Sequence, residues 1–151
     1  MISNEVLARV GLLFVALCLI PAGAHFFELP NKLALPPQDY MVVQQIYAGW
    51  AFFGIAIFGA LAFTLAQTVL VWRDKRAVRL SLAALLLLVA AQIIFWTFTF
   101  PMNVATANWT VTPQEFEAAR RQWEYSHATG AVLTFVALIL LVRSAPAEQP
   151  R

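Results

Sequence analysis

The chain has 151 residues, 61% hydrophobic and 12% charged, with a mean hydropathy of +0.72. A soluble domain carries roughly a quarter charged residues, so this composition excludes an ordinary soluble protein and implies an integral membrane protein. The net charge of +2 and pI near 9.0 do not point to nucleic acid, because the basic residues gather at the ends of apolar blocks, where membrane topology accounts for them.

The apolar residues fall in four blocks, not in the alternating pattern of an outer-membrane barrel. The expected architecture is all-α: one four-helix transmembrane domain over residues 1–143, with a disordered tail over 144–151. Helix one runs from about Val6 to Phe27, roughly 22 residues and about 33 Å, which spans the hydrocarbon. Pro30 pushes Leu29 out of helical geometry, so the helix is expected to end near Glu28. Its single cysteine, Cys18, rules out an internal disulfide and a thiolate metal cluster.

A polar connection is expected from Leu29 to Gln45, turning at Pro36, Pro37 and Asp39. Helix two takes Ile46 to Trp72. Its Gly49, Gly54, Gly59, Ala56 and Ala60 are small enough for helix backbones to approach closely in lipid. The basic link RDKRAVR leads to helix three, about Leu80 to Phe100, stopped by Pro101. After a loop holding Asn103, Asn108 and Trp109, Thr112, Pro113 and Glu115 read as a capping box. Helix four therefore runs from Pro113 to about Arg143.

Seven of the basic residues, Arg9, Arg73, Lys75, Arg76, Arg79, Arg143 and Arg151, lie on the side of the termini and the short link. Lys32, Arg120 and Arg121 lie on the other. The imbalance predicts both termini in the cytoplasm and the long loops outside, which in a bacterium means a multi-pass inner-membrane protein with those loops in the periplasm.

Two polar pairs interrupt the apolar blocks: His25 with Glu28 on helix one, and Glu124 with His127 on helix four. From Arg9 to His25 is sixteen residues, as is His127 to Arg143; at 1.5 Å per residue both imidazoles sit about 24 Å above the inner boundary. Both glutamates come out nineteen residues up, at about 28 Å. The i,i+3 spacing puts each pair on one helix face. If helices one and four touch, two imidazoles and two carboxylates cluster just inside the outer edge of the hydrocarbon. Ionisable groups at that depth are costly, and are usually paired, metal-bound or functional.

Several roles stay open for His25, Glu28, Glu124 and His127. They suit ligands for iron, zinc or another divalent metal, and two carboxylates favour a mononuclear over a dinuclear site. The two level histidines suit a haem. With no cofactor, the same groups suit acid–base catalysis or a structural network. The height arithmetic also brings Gly54 and Trp96 to this level, in a pocket for a flat apolar or quinone-like ligand. Lys32, Tyr47, Asn103, Asn108, Arg120 and Arg121 would rim its mouth. The partners expected are the bilayer and an apolar small molecule, with a homo-oligomer or a membrane-complex subunit both compatible, and no nucleic acid.

The segments HFFELPNK and DYMVVQQIYAGW in the first half, with FPMNVATANW and RRQWEYSH in the second, resemble the anthrone oxygenase-like family of small four-helix membrane proteins. The resemblance covers nearly the whole chain. It implies a four-helix membrane fold and oxidation of a polycyclic phenolic substrate by dioxygen without an obvious cofactor. It carries over Asn103, Trp109, Arg121, Trp123 and His127 as site residues.

Overall fold

The computed structural model describes residues 4–144. Ser144 ends a helix there; the rest of the expected disordered tail, with Arg151 of the charge count, lies outside the described residues. All regular structure among the described residues is helical. In chain order the α-helices are α1 (Asn4–Ala34), α2 (Pro37–Gln44), α3 (Gly54–Leu70), α4 (Lys75–Ile94), α5 (Phe100–Ala105) and α6 (Phe116–Ser144). Four stretches are long and apolar enough to cross a membrane: Glu5–Ala34, Trp50–Leu70, Lys75–Ala105 and Phe116–Ser144. Helix α1 packs on α3 and α6, and α4 packs on the same two, so the bundle closes in the order α1, α3, α4, α6. The contact between the first and last spanning helices that the histidine cluster requires is therefore present.

The core is built from small side chains. Ala56, Ala60, Ala84 and Ala137 are buried with Val15, Leu88 and Leu141, and let the backbones approach where dispersion contacts, not water exclusion, hold helices together. A Cβ added at Gly59 would lie 2.4 Å from Phe14 Cδ1, and the Phe14 ring stacks on Phe63 at 5.3 Å. The expected close approach thus holds at Gly59, Ala56 and Ala60. Gly49 and Gly54 face no atom within 4 Å, and Gly49 serves another purpose.

Element boundaries depart from the local rules in each of the four spans and in the connection after the first. Helix α1 runs through Pro30 to Ala34, past the end expected near Glu28, because its last turns bury Lys32 against α6. Residues 37–44 form a helix, not a plain connection, with Pro37 pre-set at its first position. The second span is interrupted: 3-10 turns at Gln45–Tyr47 and Trp50–Phe53 flank Gly49, whose φ of 85° is the left-handed conformation that glycine adopts at no steric cost. At the other end, the capping box expected at Thr112–Glu115 does not form, and α6 starts at Phe116, whose ring packs against Tyr40 and Trp109. The preceding turn is held by positive φ at Ala107, Asn108 and Trp109.

The third span also starts earlier and ends later than expected. Asp74 caps α4 by accepting from the backbone N–H groups of Arg76 and Ala77 at 2.8 and 3.0 Å. Beyond Ile94 the chain widens into a π-turn, Phe95–Thr99, and continues as α5 through Pro101. Proline clashes with the carbonyl four residues back, here Thr97, and that carbonyl lies inside the widened turn.

The Asp74 cap gives an acid-dependent term. The N–H groups of Ala77 and Arg76 hold its carboxyl below the usual aspartate range. A depressed folded value means the stabilisation is complete above the unfolded pKa near 3.8 and is lost as pH falls through the folded value. The expected result is a melting temperature for Asp74→Ala below wild type at pH 6, with the gap closing at the most acid pH. A gap that stays constant across that range would show that the cap carries no linkage.

Candidate functional site

The regular rise of two helices from the same end places His25 and His127 opposite each other. Their ring centroids are 4.1 Å apart with the planes tilted by 32°, so the two rings are in direct contact. Around them stand Trp123, 4.9 Å from His25 and 4.2 Å from His127, then Tyr47 and Trp50, 4.5 and 5.5 Å from His25, and Phe95, 6.2 Å from His127. His25 is only 4% exposed, and its Nδ1 has no hydrogen-bond partner. On the α3 side the wall consists of the two 3-10 turns about Gly49, which present Tyr47 and Trp50 inward and leave Ile46 and Phe52 exposed.

The two glutamates do not join the imidazoles. Glu124 is fully buried, and its Oε1 takes the Lys32 ammonium at 2.6 Å and the Tyr40 hydroxyl at 2.8 Å. Gln44 completes the group: its Nε2 donates to the Tyr40 oxygen at 2.5 Å, and its Oε1 accepts from Lys32 Nζ at 3.2 Å. Tyr40 and Gln44 are four apart on α2 and so share one face. The Lys32 ammonium also lies over the rings of Trp123, Tyr47 and Tyr40 at 4.6, 4.7 and 5.4 Å, attraction that helps a cation out of water. Glu28 accepts instead from the Tyr47 hydroxyl. Burial, reinforced by Glu124, pushes the Tyr40 phenol above its ordinary pKa. Burial, reinforced by Glu28, does the same for Tyr47. Both hydroxyls therefore stay protonated donors through the physiological range.

The four side chains are not drawn together as one ligand set. Among the described residues no three His, Cys, Asp or Glu side chains are gathered to hold a metal ion. The two imidazoles touch each other at 4.1 Å and do not flank a gap. Glu124 gives one oxygen to an ammonium, and Glu28 faces a phenol.

The remaining expected site residues divide. Tyr47 and Trp123 line the imidazoles; Asn103 Oδ1 accepts from Trp123 Nε1 at 2.7 Å and fixes that ring. Trp109 is buried one layer further out, 5.8 Å from Trp123 and 5.1 Å from Tyr40, with its carbonyl accepting from Gln45. Gly54 opens α3 with free space beyond it. Trp96 and Arg121 are not brought in: Trp96 is 57% exposed and packs on Phe95 and Phe100, and Arg121 is exposed beside the buried Arg120. For Trp96, the π-turn rotates the chain away from the straight-helix direction assumed for it.

Lys32, Tyr40 and Gln44 are the residues that sequence reasoning undervalued. The signal was the lysine seven residues after His25, two helical turns on and hence near the same face, which becomes visible only once helix one is allowed to pass Pro30. Arg120 likewise left the rim. It is buried, donates to Leu35 O at 2.8 Å, pairs with Glu117 at 2.6 Å, and so ties α6 to the end of α1. Compared with protein-family models, curated proteins and solved structures, the chain matches none.

Proposed function

We propose that this chain is a membrane-embedded, oxygenase-like redox enzyme acting on an apolar hydroxy-aromatic or quinone-like substrate, with His25 and His127 as its acid–base groups. The observation that carries the reading is the imidazole pair in contact inside a cage of Trp123, Tyr47, Trp50 and Phe95, with His25 Nδ1 left without a partner. A neutral imidazole is a base at physiological pH, and an aromatic cage suits a flat apolar ring. The resemblance to anthrone oxygenase-like proteins supplies the reaction class. A ring methylene is oxidised to a carbonyl by dioxygen, one oxygen atom entering the carbonyl and the other leaving with the two hydrogens as water. His25 removes the first proton, and His127, 4.1 Å away, holds the imidazole against the substrate. The basic residues at one end of the bundle support a bacterial inner-membrane location, termini in the cytoplasm and this cage toward the periplasm.

Oxygen uptake by the purified protein with dithranol, a dihydroxyanthrone, tests this. General-base removal is expected to slow turnover by about 10²–10⁴-fold in His25→Ala and in His127→Ala, with the thermal transition kept as a folding control. A wild-type rate in both variants would end the acid–base assignment.

A second reading has its own observation. Lys32 and Tyr40 engage Glu124, Gln44 bonds to both of them, and the group ties α1, α2 and α6 together, as expected of a non-enzymatic accessory subunit or small-molecule binding module in which the cluster is structural. It predicts ligand binding without oxygen uptake.

A further inference from the structure

Two buried polar atoms beside the cage have no hydrogen-bond partner, Glu124 Oε2 and His25 Nδ1. Leaving such atoms unmet is expensive, and a carboxylate oxygen more so than most. Glu124 is fully buried and His25 4% exposed, so neither is satisfied by bulk solvent. They also share a neighbour. Glu124 and His127 are three apart on α6; the His127 ring lies 4.1 Å from that of His25; and Trp123 touches His25, His127 and the Lys32 ammonium that pairs with Glu124.

The other Glu124 oxygen is fully committed. Both the Lys32 ammonium and the Tyr40 hydroxyl donate to Oε1, and Gln44 donating to the Tyr40 oxygen keeps that hydroxyl proton pointed at Glu124. What remains is an unmet acceptor on the residue that follows Trp123 of the cage, which calls for a ligand that brings a donor. A phenol or hydroquinone has one. A quinone has only carbonyl oxygens, which a carboxylate oxygen repels.

We propose that Glu124 Oε2 is a specificity determinant that makes this site take the hydroxy (reduced) form of an aromatic ligand and reject the quinone form. The inference rests on the functional reading above to the extent that both place an aromatic ligand in the His25 cage. It adds a selectivity: the hydroxy form of the ring binds by donating its hydroxyl to Glu124, and a quinone, lacking that donor, is held more loosely. A site built around an O–H donor discriminates against the analogue lacking it because its own buried polar atom is then left unpaired.

Anaerobic titration with menadiol and with menadione, followed by quenching of tryptophan fluorescence, tests it. Menadiol is expected to bind the wild-type protein about tenfold to a hundredfold tighter, the range for one hydrogen bond to a charged group. The double variant Lys32→Met, Glu124→Gln removes the ammonium together with the charge that paired it and sets an amide at the cage. Its N–H₂ group can donate to a quinone carbonyl, so the preference should vanish or invert. Equal wild-type affinities for the two forms overturn the proposal without any variant, as does a preference unchanged in the double variant. Oxygen uptake measured in parallel separates the two claims. Preference without turnover leaves the specificity standing and removes the enzyme, whereas turnover without preference does the reverse.

Discussion

Glu124→Ala is expected to destabilise the folded protein by about 3–5 kcal/mol, the range for removing one partner of a buried ion pair. The cost is mostly not the loss of attraction. With the carboxylate gone, the Lys32 ammonium, 3% exposed, keeps Gln44 Oε1, the charge of Glu28 and the rings of Trp123, Tyr47 and Tyr40 but no direct ion pair, and the buried Tyr40 hydroxyl loses its acceptor. An unpaired cation at that depth is the more expensive half. The double variant Lys32→Met, Glu124→Ala removes it and should recover part of the loss, the remainder being the unfilled volume at position 124 and the Tyr40 hydroxyl left without its acceptor. Denaturant titration in detergent micelles would measure both. A double variant no more stable than Glu124→Ala alone would show that the pair is not what holds this end of α1 to α6.

The second large effect lies in the α1–α3 contact. Gly59→Ala places its methyl carbon 2.4 Å from Phe14 Cδ1, closer than carbon atoms pack, so the ring must move. Moving it breaks the 5.3 Å stack on Phe63. Overpacking of this kind costs typically about 1–3 kcal/mol. Alanine regains up to about 1 kcal/mol of helix propensity over glycine, too little to reverse the sign. Gly130→Ala on α6, where the added carbon meets nothing within 4 Å, isolates the propensity gain and should be neutral or stabilising. Phe14→Leu in the Gly59→Ala background should return part of the loss. Equal stability of Gly59→Ala and Gly130→Ala would show that the Phe14 ring yields freely.

The four spanning segments, and the meeting of His25 with His127, were readable from the residues alone for one physical reason. A chain crossing hydrocarbon satisfies its own backbone as a helix, so depth follows from residue number at a constant rise, and equal distances from Arg9 and Arg143 bring the imidazoles level. The same regularity failed where the helices are irregular. The π-turn at Phe95–Thr99 leaves Trp96 on the outside, and the left-handed Gly49 divides the second span and turns Tyr47 and Trp50 onto His25.

Glu28 and Glu124 show the limit most clearly. Their common height was legible, yet Glu28 faces Tyr47 and Glu124 faces Lys32 and Tyr40. Spacing along a helix sets level and face but not which donor reaches a carboxylate first, and that depends on groups brought in by other segments. Pro30 is the pivot. Local rules end α1 before it, because proline disfavours helical geometry in the residue ahead of it. In the folded chain the turns beyond it continue, and their Lys32 pairs with a buried carboxylate 92 positions away, a contact that helps to offset the local cost of Pro30. Hydropathy and helical rise therefore settle the spans and the facing histidines. The partners of the carboxylates, and with them the chemistry open to the site, follow from long-range contacts that no local propensity encodes.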